Sequence, residues 1–185
     1  MMKDINLMSI DLELNQPSGK IIQVGAVVGN LDSGKILEEY SCHIKIDEQI
    51  TEYITKLTGI RQQDVDQGYS LELAYEQLKQ MHKRYECFRN CLTWGGGDTL
   101  CLKKQLGIND DEMFLFGRRW IDAKTIFVSL RFARGQHHQA GLARALRKFD
   151  MEFQGKKHQA CDDARNTFLI YRRMLKEFHI YEART

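Results

Sequence analysis

A chain of 185 residues, 43% hydrophobic and 28% charged, has the length for one domain with a proper core and little room for two. Its mean hydropathy of −0.46 and lack of any apolar run near the roughly 20 residues of a membrane span exclude a bilayer protein, and "MMKDINLMSIDLEL" lacks the features of a signal peptide. The net charge of +2 hides an uneven split, with 10 basic against 15 acidic residues in 1–99 and 17 against 10 in 100–185.

Three β-type segments come first: "INLMSIDLEL" (5–14), "IIQVGAVVGN" (21–30) and "ILEEYSCHIKI" (36–46). The connections "NQPSGK" and "NLDSGK" are rich in turn formers, which predicts a three-stranded meander. From about 51 the pattern turns helical, through "TEYITKLTG" and "RQQDVDQG" to an amphipathic stretch at 70–86 that Ser70 and Glu72 open. "CLTWGG" (91–96) reads as a buried strand and "DTLCLKKQLG" (98–107) as a helix closed by Gly107. "RRWIDAKTIFVSLRFA" starts extended and becomes helical after Asp122. Helices over 140–150 and 160–179 finish the chain. Strands that alternate with helices after an opening meander predict an α/β protein, a mixed sheet with helices on its faces. No linker or repeat divides it, so 1–185 is expected to be a single domain.

Two motifs are set aside. "GNLDSGKI" matches the start of a phosphate-binding loop, but Ile36 stands where a Ser or Thr hydroxyl is needed for Mg²⁺, and a strand follows instead of a helix. It reads as a hairpin turn. Five cysteines, Cys42, Cys87, Cys91, Cys101 and Cys161, form no disulfide framework and fit reduced thiols in a cytoplasmic protein. A zinc site from Cys87, Cys91, Cys101 and His82 lacks the paired short spacings of a zinc module.

The carboxylates are more informative. Asp11 and Glu13 lie two apart on a strand otherwise made of Leu7, Met8, Ile10, Leu12 and Leu14, so both point to one face. Acidic groups inside a core strand are costly unless something compensates them, and Mg²⁺ or Mn²⁺ prefers such oxygen ligands. In "KKHQACDDARNTFLIYRRML", Asp163 shares a helical stripe with Thr167, Ile170 and Met174 and turns inward. Asp162 lines up with Asn166, Arg173 and Lys176, a face expected in solvent. His158 lies five residues before Asp163, roughly 140° away on a continuous helix. The two converge only if His158 belongs to the loop that enters the helix. Asp98, after "CLTW" and three glycines, is chosen as a third ligand over Asp122, although either fits an ordinary N-cap.

Together Asp11, Glu13, Asp98, Asp163 and His158 resemble the catalytic set of the DEDDh exonucleases, a 3′-to-5′ family on a ribonuclease-H-like fold. "DLE", "WGGGD" and "HQACDDA" look like its three motifs, and the third is the specific one. "LTGIRQQDV" resembles the segment after the opening strands. "WIDAKTIF" and "GLARALRKFDMEFQGKKHQACDDARNTF" look most like the ERI-like histone-mRNA and small-RNA exonucleases and the bacterial KapD proteins. The resemblance spans nearly the whole chain as a catalytic core alone. It implies two Mg²⁺ ions, replaceable by Mn²⁺, about 3.5–4 Å apart. Asp11, Glu13 and Asp163 would hold the first and Asp98 the second. It also implies that His158, in a mobile loop, takes a proton from the attacking water. Neutral imidazole is then required, with activity rising between roughly pH 6 and 8.

Substrate contacts are expected from Leu12 and Leu14 beside the acids, from Trp94 by stacking or as a core residue, and from Lys124, Arg118 and Arg119 on phosphates. Gln23 and His43 are read as structural or supporting residues, and His137 and His138 as loop residues. The implied partner is single-stranded nucleic acid, RNA before DNA, with no membrane. The alternatives are the same chemistry on DNA and a non-catalytic nucleic-acid-binding module, and no residue announces itself as a 2′-hydroxyl contact.

Overall fold

In the computed structural model, which describes residues 4–108, 117, 119–137 and 139–182, the opening segments form β1 (Asn6–Leu14), β2 (Ile21–Asn30) and β3 (Ile36–His43). β1 pairs with β2 and β2 with β3, all antiparallel, so "NLDSGK" is the hairpin turn expected of it. β3 ends at His43, short of 46. The chain then leaves the sheet and makes one isolated bridge, Ile44 to Tyr69.

Helices α1 (Glu52–Thr58), α2 (Gln62–Asp66) and α3 (Leu71–Arg84) follow. Ser70 caps α3 by accepting the Leu73 N–H at 3.2 Å. β4 is only Leu92–Thr93, where a strand over 91–96 was expected. The reason is Gly95, at φ +110°, a conformation closed to other residues, which turns the chain out of the sheet. Helix α4 (Gly97–Gln105) starts two residues later. β5 (Ile121–Asp122), α5 (Ala123–Ala133), α6 (Leu142–Arg147, shorter than the expected 140–150) and α7 (Ala160–Glu182) complete the described elements.

The sheet runs β3-β2-β1-β4-β5, with β4 parallel to β1 and β5 parallel to β4. Alternation along β1 divides the core. Met8, Ile10 and Leu12 pack with Ala74, Leu78 and Met81 of α3 and Leu102 of α4. Leu7 joins Phe127 and Leu130 of α5, Leu146 of α6, and Phe168, Ile170 and Met174 of α7. Full burial of such a side chain contributes roughly 1.5–3 kcal/mol. Because β1 and β4 are parallel, their C-terminal ends open at the same edge, where sheets of this kind accept ligands.

What lets α7 lie against the sheet is a pair of glycines. A Cβ at Gly25 would stand 2.1 Å from the Ala160 carbonyl carbon, and one at Gly29 would stand 2.3 Å from the Phe168 ring. The helix therefore crosses β2 at near-backbone contact. Gly25 is also the register partner of Asp11. Gly25→Ala should push the start of α7 off the strand and cost about 1–3 kcal/mol by overpacking, read as a lower urea midpoint at unchanged m-value. An unchanged midpoint would show that α7 shifts freely.

Candidate active site

Asp11 and Glu13 reach the open edge of the sheet from the end of β1, on the face that α7 covers. Their neighbours Leu12 and Leu14 point the other way: Leu12 is in the α3 side of the core and Leu14 half-buried against it. At this point β2 slips register by one residue, pairing Glu13 with Gln23 and Leu14 with Ile21. The bulge sets Gln23 beside the acids and beneath α7.

Asp163 comes from the first turn of α7, where the helix dipole favours a carboxylate. His158 precedes α7, as convergence required. Its φ of +60°, unusual for a residue with a Cβ, turns its backbone N–H onto Asp163 Oδ2 at 2.7 Å. One ligand atom each from Glu13, His158 and Asp163 lie within 4.8 Å of one another. Among the described residues this is the group of three or more potential metal ligands that close.

The segment bearing His158 is tied to its surroundings at several points. Gln159 donates to the Thr58 carbonyl at 2.6 Å, and Lys156 reaches the same oxygen at 3.2 Å. Ala160, first in α7, donates its N–H to Gln23 Oε1 at 2.9 Å, which gives Gln23 a structural role. His43, half-buried at the end of β3, places Nε2 3.4 Å from Gln23 Nε2. Asp162 and Asn166 also depart from the solvent face expected of them. Asp162 accepts the Lys156 N–H at 2.8 Å and Arg165 at 2.6 Å, and Arg165 continues to Glu39 on β3. Asn166 is fully buried and exchanges two hydrogen bonds with the Gln154 backbone. Both side chains tie the incoming segment to the helix, a demand that helical periodicity does not register.

Asp98 enters from the first turn of α4 and accepts the Thr93 hydroxyl. Asp122 takes the capping role that both aspartates had been allowed. Its carboxylate accepts the N–H groups of Lys124 and Thr125 at the start of α5, and that of Gly95 at 3.1 Å. It thus holds the glycine turn that delivers Asp98.

The electrostatics show that the four acids form one group. Burial, followed by the charges of Asp98, Asp163 and Glu13, holds the Asp11 carboxyl well above the ordinary range. Burial and then Asp163 and Asp98 push Glu13 to about 7. Burial lifts Asp98 to about 6, with Asp122 adding to the rise and the Thr93 hydroxyl opposing it. Asp163 is raised by burial against the opposing His158 N–H. No Lys or Arg among the described residues pairs with any of the four. A buried, uncompensated acidic cluster of this kind, all oxygen donors with one imidazole alongside, fits hard divalent cations.

The family model described as Exonuclease (RNase_T) matches residues 9–171. The chain belongs to the exonuclease family. Among curated proteins it is similar to ERI1 exoribonuclease 2 of Mus musculus, 27% identical over 184 residues that cover 86% of this chain and 26% of that protein. It is also similar to the 3′-5′ exonuclease Snipper of Drosophila melanogaster, 29% identical over 178 residues, 85% of this chain and 62% of the relative. The chain thus spans about a quarter of the first relative's length. Among solved structures, the nuclease domain of 3′hExo, a DEDDh family member bound to rAMP, superposes with a TM-score of 0.78 at 22% identity, covering 95% of this chain and 94% of that one. The exonuclease family and its ribonuclease-H-like fold are therefore those the three motifs implied.

The remaining candidates are placed less centrally. Trp94 is partly buried against Phe127, ring centroids 5.9 Å apart, and its indole N–H finds no acceptor among the described residues. That packing accounts for the residue without a stacked base. Lys124 lies in the first turn of α5, partly exposed, and Arg119 is exposed. Arg118 and His138 lie outside the described residues. His137 is exposed in the loop after α5. The five cysteines are free. No described helix is long and apolar enough to cross a membrane. Sequence reasoning missed Gly25 and Gly29, which shape the site by admitting α7. Their signal was visible, since glycine inside an apolar strand marks a close backbone approach.

Proposed function

We propose that this chain is a metal-dependent 3′-to-5′ exonuclease acting on single-stranded nucleic acid, RNA in preference to DNA, and releasing nucleoside 5′-monophosphates. The observation that carries the reading is the gathering of four mutually repelling carboxylates, unpaired with any Lys or Arg among the described residues, beside His158, in a chain of the exonuclease family. Asp11, Glu13, Asp98 and Asp163 would hold two Mg²⁺ ions, with Mn²⁺ a competent substitute. Bound there, such ions lower the pKa of a water and offset the charge that builds on the departing 3′-oxygen.

The chain's own part is positional and acid–base. The exposed imidazole of His158 takes the proton from the attacking water. Asp163 fixes the backbone of that residue through its N–H, so the ring is carried on a held main chain. Contacts from Leu12 and Leu14 to the terminal nucleotide fall to main-chain groups, since neither side chain faces the acids. Lys124, at the near end of α5, would contact a backbone phosphate. The preference for RNA draws on the relatives, whose names include exoribonucleases.

The test uses a 5′-labelled single-stranded RNA and the matching DNA with Mg²⁺, Mn²⁺ or EDTA. The expected result is a ladder shortening from the 3′ end, faster on RNA, present with either metal and absent with EDTA. A faster DNA ladder would reverse the sugar preference. Binding without shortening of either strand would overturn the catalytic reading in favour of a binding module.

A further inference from the structure

Beyond the carboxylate site, the solvent face of α5 carries an unexplained depression of about 250 Å³, lined by Lys124, Thr125, Val128, Ser129, Phe132 and Gln139. Phe132, in the last turn of the helix, is 58% exposed although Phe127 and Leu130 on the same helix are buried. Its ring has one aromatic neighbour among the described residues, the exposed His137 at 6.1 Å. Nothing in the packing of the described residues calls for a phenylalanine there. The hydroxyls of Thr125 and Ser129 are turned inward, to Asp122 Oδ2 at 2.8 Å and to the Thr125 carbonyl at 2.9 Å. What the surface offers a visitor is therefore an aromatic ring and a valine at one end and an ammonium group at the other.

This surface is continuous with the candidate site. α5 is capped by Asp122, whose carboxylate holds Gly95 of the turn that delivers Asp98 and whose charge reaches Asp98 itself. Lys124 stands two residues from that junction. Phe132 stands eight residues further, about 12 Å along the helix axis. The cationic end of the depression is thus the end beside the acids, and the aromatic end points away from them.

Resting on the exonuclease reading, we propose that this face of α5 is a subsite for the single strand 5′ of the scissile bond, Lys124 taking a backbone phosphate and Phe132 stacking a base a few nucleotides upstream. An aromatic platform accepts any base, because every base presents a π-face, and a cation one end along tracks the backbone. The basic excess of residues 100–185 has the sign that a polyanion requires. The subsite predicts that the enzyme senses substrate length. A strand too short to reach Phe132 gains nothing from it.

Phe132→Ala should leave the fold intact, because the side chain is exposed, and Phe132→Trp should preserve stacking. Two measurements are made on each. In EDTA, anisotropy of a labelled single-stranded RNA octamer should show binding about tenfold weaker in Phe132→Ala and undiminished in Phe132→Trp. With Mg²⁺, KM for the octamer should rise by a similar factor in Phe132→Ala, with kcat and the hydrolysis of a dinucleotide unchanged. Equal octamer binding by wild type and Phe132→Ala overturns the subsite, as does an equal loss on octamer and dinucleotide. A wild-type protein that binds the octamer through Phe132 and never shortens it keeps the subsite and removes the exonuclease reading. A wild type that does neither removes both.

Discussion

Asp11→Asn is expected to raise the melting temperature of the metal-free protein while abolishing its nuclease activity. Asp11 is pressed by burial and by Asp98, Asp163 and Glu13, so in the absence of metal its charge opposes folding. Neutralising it with a side chain of the same shape should stabilise the metal-free protein by roughly 1–2 kcal/mol, a few degrees in Tm for a chain of this length. The same change removes a ligand. If the ions supply several kcal/mol at the transition state, the rate should fall by about 10³-fold or more. Differential scanning fluorimetry in EDTA and in Mg²⁺, beside the ladder assay, reads both effects. A metal-free protein destabilised by Asp11→Asn would mean that the carboxylate has a favourable partner and that the cluster is no metal site.

The pH dependence of the wild type follows from the same repulsion. With Glu13 raised to about 7 and Asp98 to about 6, the folded protein holds protons that the unfolded chain has already released. Between about pH 4 and 7 the unfolded state therefore binds fewer protons, and the metal-free protein loses stability as pH rises. Ions that compete with those protons reverse the trend, so the Mg²⁺-induced rise in Tm should be larger at pH 8 than at pH 5.5. An equal rise at both values would place the bound ion elsewhere.

His158→Asn is the second large effect. Asparagine tolerates the left-handed backbone that His158 adopts at φ +60°, and the N–H to Asp163 survives. The fold should be unchanged while kcat falls by about 10²–10⁴. Because the ring also lies within 4.8 Å of ligand atoms of Glu13 and Asp163, titration with Mn²⁺ separates two roles. Affinity kept within about twofold identifies a proton acceptor, and a large loss of affinity identifies a metal ligand.

Much of this was legible along the chain, where the physics is local. Alternation on β1 put Asp11 and Glu13 on one face and Leu12 on the other because a strand has a period of two. The incompatibility of a five-residue spacing with a shared helix face placed His158 in a loop. Other assignments failed where a distant group decided them. Periodicity sent Asp162 and Asn166 to solvent, yet the returning segment at Gln154 and Lys156 bonds to both, and no window of sequence contains that segment's position in space. The preference for Asp98 over Asp122 rested on chain order, and it is the turn at Gly95, held by Asp122, that puts one among the acids and makes the other the cap.

The sequence alone therefore determined which residue types stand where a strand or helix end can present them, because that depends on backbone periods and capping. Only the tertiary structure decided that the four acids meet. Their convergence depends on two parallel strand ends opening at one edge and on a helix admitted to the sheet by Gly25 and Gly29, contacts made between residues far apart in the chain.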